Sequence, residues 1–282
     1  MNLDLGRGGT GSFALGPAIL FCPADRPDRY AKAADRADGV ILDLEDAVLP
    51  ADKAAAREHL AAVHLDPART VVRVNPAGTP DLVEDLHALA GTPYRTLMLA
   101  KTAGRADVRE LAAYDVVALV ETAAGVVEAS AIAAEANVVA LMWGAEDLVA
   151  SLGGTASRRD DGTYRDVVRH ARSAVLLAAG AHGKAAVDAV HVDLDDTEGL
   201  AAEAADAADS GFTATACLHP SQVDVVRAAF APRPQDVRWA RAVLDAATGQ
   251  HGVFRFEGRM VDEPVLRHAE RVLRRAGRPP TR

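Results

Sequence analysis

No apolar run among the 282 residues approaches the roughly 20 that a membrane-spanning helix requires, so a helical membrane protein is excluded. Basic charge is in deficit. Lys and Arg total 31 against 40 Asp and Glu, a net charge of −9, and affinity for phosphate backbones needs a concentrated basic surface, so nucleic acid is not an expected partner. Cysteine is nearly absent. Cys22 and Cys217 both lie in apolar, strand-like segments and read as two buried thiols rather than a disulfide or a metal pair. The opening stretch MNLDLGRGGTGSFALG has neither the basic start nor the long apolar stretch of a secretory signal, so the expected location is the cytoplasm.

What remains is a globular composition, 49% hydrophobic and 25% charged, with a marked alternation. Short β-rich apolar runs occupy 18–22, 40–44, 70–74, 96–100, 116–120, 138–143, 185–190 and 213–218. Stretches with helical spacing lie between them at 26–37, 51–63, 79–90, 105–113, 125–136, 164–179 and 197–210. Repeated strand-helix units imply a parallel sheet. An open doubly wound sheet has the same alternation, and it is the count of eight that favours a closed (β/α)8 barrel. Residues 1–16 are Gly-rich with no P-loop Lys and are expected to be a flexible tail, 17–232 a catalytic barrel, and 233–282 a C-terminal extension serving as a lid or oligomer arm. The segment 151–163 reads as a loop over one barrel face.

Barrel enzymes build their sites at the carboxyl ends of the strands. Here those ends carry Asp43, Glu45 and Asp46, then Arg73 and Asn75, Lys101, Glu121, Glu146 and Asp147, and His219. Each has a bland alternative, such as a helix cap for Asp46 or Asp147 and a buried ion pair for Arg73. Their convergence on one rim is harder to ascribe to packing, because uncompensated buried charge is costly. Carboxylates in excess over one Arg and one Lys call for a hard divalent cation, and Mg²⁺, with Mn²⁺ as a substitute, fits an oxygen-rich site. No His or Cys cluster has zinc spacing.

At these residues the sequence resembles the citrate lyase β-subunit-like branch of the HpcH/HpaI aldolase superfamily, which includes malyl-CoA and citramalyl-CoA lyases. The resemblance rests on LFCPADRPDRYAKAA with VILDLEDAVLPADKAAAR, VVRVNP, LVETAAGV, MWGAEDLVASLGG, CLHPSQV and FEGRMVDEPV, in the family's order and spacing over nearly the whole chain. It implies a (β/α)8 barrel, a homotrimer or hexamer, and Mg²⁺-dependent making or breaking of a carbon–carbon bond between an acyl-CoA and a 2-oxo acid such as glyoxylate, pyruvate or oxaloacetate.

By the same resemblance Glu121 and Asp147 are the Mg²⁺ ligands, Arg73 holds the oxo-acid carboxylate, and Gly144, Ala145 and Glu146 line the substrate. Glu45 and Asp46 would hold metal-bound water and orient Lys53 or Arg57. Asp262 matches an acid that exchanges a proton with the acetyl-CoA methyl carbon, often from a neighbouring subunit; it would also suit the N-cap of a last helix. Arg158 and Arg159 are candidate contacts for CoA phosphates. Three rivals follow: a Schiff-base aldolase with Lys101 as nucleophile, a thioester hydrolase on malyl-CoA-type substrates, and a citryl-lyase subunit acting on an acyl-carrier-protein thioester.

Overall fold

The first eight strands of the computed structural model are β1 (Ala18–Pro23), β2 (Gly39–Asp43), β3 (Thr70–Val74), β4 (Thr96–Leu99), β5 (Asp115–Val120), β6 (Val138–Trp143), β7 (Ala185–Asp188) and β8 (Ala214–Cys217). The structure describes residues 13, 15–250 and 252–277. The eight strands pair in parallel in chain order, and β8 returns to β1, closing the barrel. Each is buried on both faces, which is why the sequence shows short continuous apolar runs rather than alternation. Ile19, Ile41, Val71, Met98, Val117, Leu119, Met142 and Val187 form the interior cluster. Of the stretch expected as an N-terminal tail, residues 1–12 and 14 lie outside the described residues, whereas Phe13 and Leu15 pack against this cluster.

Around the barrel run α1 (Tyr30–Arg36), α2 (Lys53–Ala62), α3 (Pro80–Leu89), α4 (Arg105–Glu110), α5 (Ala123–Ala133), α6 (Ala145–Ser151), α7 (Asp166–Ala181), α8 (Thr197–Ser210) and α9 (Pro220–Phe230). Their starts obey capping chemistry. Thr79 accepts the Leu82 amide ahead of Pro80, Thr122 accepts that of Gly125, and Asp196 accepts that of Gly199. The helix α6 is too short to register as a periodic pattern in the sequence, and it carries Glu146 and Asp147 in its first turn. Cys22 and Cys217 are both buried and are not joined in a disulfide, and burial pushes the Cys22 thiol up to about 11.

The chain divides into two compact units between Val226 and Arg227. The second contains α10 (Pro234–Ala247), the antiparallel hairpin β9 (Phe254–Phe256) and β10 (Arg259–Val261), and α11 (Glu263–Ala276). Its core joins Ala240 and Val243 of α10 to Ala269 and Val272 of α11, with Val261 between. Among the described residues, no helix is long and apolar enough to cross a membrane.

Candidate active site

The parallel register of β2 and β3 sets Asp43 directly beside Arg73. Asp43 is 1% exposed, and its two oxygens accept Arg73 Nε at 2.7 Å and Nη2 at 2.6 Å, a planar two-bond clamp. The same oxygens accept the amides of Glu45 and Ala47 at 2.9 and 3.1 Å, so the clamp also shapes the loop that follows β2. Arg73 Nη1 lies 3.2 Å from Glu45 Oε2, and the guanidinium covers the Phe21 ring at 4.9 Å. A guanidinium has five N–H groups. With those partners met, one N–H on each terminal nitrogen is left for a ligand carboxylate. Burial opposes the Arg73 charge, but the Asp43 hydrogen bonds and charge outweigh it and hold the group above its ordinary range.

Glu45, 5% exposed, pairs with Lys101 Nζ as well. Burial raises its carboxyl, and the charges of Arg73 and Lys101 only partly offset that. Asp46 projects outward, with Lys101 Nζ at 3.3 Å. Burial acts upward on it too, but the charges of Lys101 and Arg73 prevail and hold it low.

Glu121 directly follows β5 and is 3% exposed. Burial, reinforced by the negative charge of Asp147, pushes it up to about 7. Its Oε1 accepts the Lys101 amide at 3.0 Å, while Oε2 faces Gly144. A Cβ on Gly144 would stand 2.7 Å from that Oε2 and 2.9 Å from the Glu121 Cβ, so glycine is what lets the start of α6 pass so close. Asp147, one turn on, is half-buried, 3.5 Å from Lys101 Nζ. Ala145 is buried, and Glu146 is exposed with Oε1 accepting from Ser157 Oγ at 2.6 Å. Arg73, Glu121, Gly144, Ala145, Glu146 and Asp147 all line one cavity of about 270 Å³, whose other wall is apolar.

Other candidates have different partners. Lys53 is buried and donates to the carbonyls of Leu44 (2.7 Å) and Glu45 (3.0 Å) and to Asn75 Oδ1 (2.8 Å). Arg57 pairs with Asp81 and Asp85. Neither touches the carboxylates of Glu45 or Asp46 that were expected to orient them, because α2 aims both at the back of the loop. Arg158 is held by Glu203 at 2.5 Å and lies 3.8 Å over the Tyr164 ring, and Arg159 pairs with Asp166 at 2.9 Å. His219 is exposed and bonds Ser221. Asp262 accepts the Val265 amide at 3.3 Å as the N-cap of α11, in the C-terminal unit. Lys101 does not suit Schiff-base chemistry. Three carboxylates, Glu45, Asp46 and Asp147, surround its Nζ. Burial alone would lower its pKa, but the hydrogen bond and charge of Glu45 outweigh that and favour the ammonium over the free amine a nucleophile needs.

Reasoning from residue types placed Asp43 on the rim but gave it no role; the structure makes it the buried partner of Arg73, through its β2 terminal position beside the Arg of β3. The carboxylate chemistry fits a hard divalent cation at Glu121 and Asp147. Burial first and then the charge of Asp147 raise Glu121, and a cation there would offset both. Among the described residues no group of three or more His, Cys, Asp or Glu is arranged to hold a metal; one or two carboxylates are what Mg²⁺ commonly takes from a protein.

The family model of HpcH/HpaI aldolase/citrate lyase matches residues 18–220. A citrate lyase subunit beta-like protein of Mycobacterium tuberculosis is 60% identical over 264 residues, 94% of this chain and 97% of that one. The crystal structure of the protein CitE from Mycobacterium tuberculosis, in complex with magnesium, acetoacetate and coenzyme A, superposes with a TM-score of 0.90 at 60% identity, covering 94% of this chain and all of that one. A (3S)-malyl-CoA thioesterase of Cereibacter sphaeroides is 31% identical over 272 residues, 92% of this chain and 94% of that one. With this barrel and the rim at its strand ends, the chain belongs to the HpcH/HpaI aldolase/citrate lyase family of enzymes.

Proposed function

We propose that the chain is a Mg²⁺-dependent carbon–carbon lyase that splits a 3-hydroxyacyl-CoA of the malyl-CoA or citramalyl-CoA type into acetyl-CoA and a 2-oxo acid, reversibly. The observation that carries this is the meeting of Arg73, Glu121 and Asp147 at one small cavity on the carboxyl rim. The solved relative with magnesium, acetoacetate and coenzyme A supports it. Glu121 and Asp147 would hold the ion, which when bound polarises the substrate oxygens and stabilises the charge that develops there.

The rest is work for the chain. Arg73 presents its two remaining N–H groups to the oxo-acid carboxylate, and Asp43 keeps that fork in one plane. Gly144, Ala145 and Glu146 border the same space. Glu45 and Asp46 hold water near the ion and keep Lys101 in place. In cleavage the hydroxyl proton would pass to water held beside Glu45 and Asp46, and the O–H electron pair would become the carbonyl of the 2-oxo acid. The carbon–carbon pair would pass to the thioester α-carbon, and Asp262 in its protonated form would give that carbon its proton. We place Asp262 in a neighbouring subunit of a homotrimer or hexamer, with 17–232 as the catalytic barrel, 233–282 as lid or oligomer arm, and the cytoplasm as location. Contact of Arg158 and Arg159 with CoA phosphates requires each to exchange its carboxylate partner. Arg159, whose partner Asp166 is 72% exposed, does so at the lower cost.

The test is product analysis by mass spectrometry with malyl-CoA and citramalyl-CoA stereoisomers, in Mg²⁺ or in EDTA. Acetyl-CoA plus glyoxylate or pyruvate, only with Mg²⁺, is the expected result. The thioesterase relative favours a second reading, in which water attacks the thioester; free CoA plus intact hydroxy acid would establish it instead. Turnover of an acyl-carrier-protein thioester alone would replace CoA as the carrier.

A further inference from the structure

The proposed chemistry gives Lys101 no bond to make or break, yet the fold holds it under strain. Its φ is +51°, a left-handed conformation that a residue with a Cβ adopts at a cost. The turn is not a slack loop: Thr102 donates its amide to Leu119 O at 2.9 Å and its hydroxyl to Leu99 O at 2.8 Å, pinning the chain to β4 and β5. This backbone does two things together. It sets the Lys101 amide on Glu121 Oε1 at 3.0 Å, and it sends Nζ across the rim to Glu45, to Asp46 at 3.3 Å and to Asp147 at 3.5 Å. One residue therefore touches both carboxylates assigned to the cation, one through its main chain and one through its charge.

We propose that Lys101 is a tethered cation that competes with the divalent metal for Asp147 while its amide fixes Glu121, so that the site alone holds metal weakly and holds it tightly only with the 2-oxo acid present. This rests on Glu121 and Asp147 being the metal ligands. A fixed positive charge close to the bound ion repels it, and the negative oxygens of the incoming acid offset that repulsion. The ammonium rests on Glu45, with Asp46 at 3.3 Å and Asp147 at 3.5 Å, so it keeps partners on the far side when a metal takes Asp147. Lys101 is thus a positioning residue, and its effect lies in metal affinity.

Isothermal titration of the full chain with Mn²⁺ at pH 8, with and without pyruvate and with no CoA thioester, tests this on wild type, Lys101→Met and Lys101→Arg. Lys101→Met is expected to bind Mn²⁺ at least about tenfold more tightly and to lose most of the tightening that pyruvate gives wild type, while Lys101→Arg behaves as wild type. A gain of affinity cannot come from a damaged fold. Equal or weaker binding by a folded Lys101→Met overturns the competition. If wild type fails to bind Mn²⁺ even with pyruvate present, or Glu121→Gln leaves that binding unchanged, the metal assignment falls and this proposal with it. Should Lys101→Met not fold, Lys101→Gln carries the same comparison.

Discussion

Glu121 carries the clearest pH signature. In the folded metal-free chain it titrates near 7, pushed there by burial and then by Asp147, against 4.5 when unperturbed. The folded state therefore binds the proton more strongly. Its stabilising contribution is complete below about 4.5 and is lost as pH rises through 7, a difference of about 3 kcal/mol. In EDTA, the urea-unfolding free energy of wild type minus that of Glu121→Gln should fall by that amount between pH 4.5 and 8. A flat difference would sink the assignment. Because a metal must displace this proton, Mg²⁺ affinity should weaken about tenfold per pH unit below 7. Gly144 has a separate test. In Gly144→Ala the new methyl would press on Glu121 Oε2 at 2.7 Å, so Mg²⁺-dependent turnover should drop about 10- to 100-fold with the barrel still folded; unchanged kcat/KM would show that Glu121 can move aside freely.

At the scale of elements, the loop between β2 and α2 is held from behind by a buried polar chain. Asp85, 0% exposed, accepts the Asn75 amide at 2.9 Å, Asn75 Nδ2 at 2.7 Å and Arg57 Nε at 2.8 Å, while Lys53 grips Asn75 and two loop carbonyls. Asp85→Ala strands these donors, and thermal unfolding should show a loss of about 3 kcal/mol, with Glu84→Ala, on the exposed side of α3, within about 0.5 kcal/mol of wild type. Much of this architecture was legible. The expected strands 70–74 and 138–143 coincide with β3 and β6, and the expected helix 197–210 coincides with α8, because double-sided burial and capping leave plain marks in sequence. The expected strands 185–190 and 213–218 overrun β7 and β8, since apolar residues such as Val190 and Leu218 go on to line the cavity after pairing stops. Arg73, Glu121 and Asp147 were legible as strand-end polar groups. The inward turn of Lys53, the Asp43 clamp and the left-handed Lys101 were not, because each depends on which neighbour lies within a few ångströms across strands, and spacing along one chain does not encode that.

For the whole molecule, the position of Asp262 in a unit apart from the barrel makes its origin testable by mixing. Arg73→Ala and Asp262→Asn are each expected to be nearly inactive. If the chain is the proposed oligomer and Asp262 serves a neighbour, the two unfolded and refolded together should recover roughly one quarter of wild-type activity, since random assortment leaves that share of sites with both residues intact. No recovery would place Asp262 with its own barrel. The barrel itself has a consequence for how such enzymes diverge. A ladder that returns from β8 to β1 has no terminal strand whose fraying a longer loop could start. The turns on the rim are then free to be lengthened, shortened or exchanged one at a time, each altering who may enter the cavity, while the register that sets Asp43 against Arg73 is inherited unchanged.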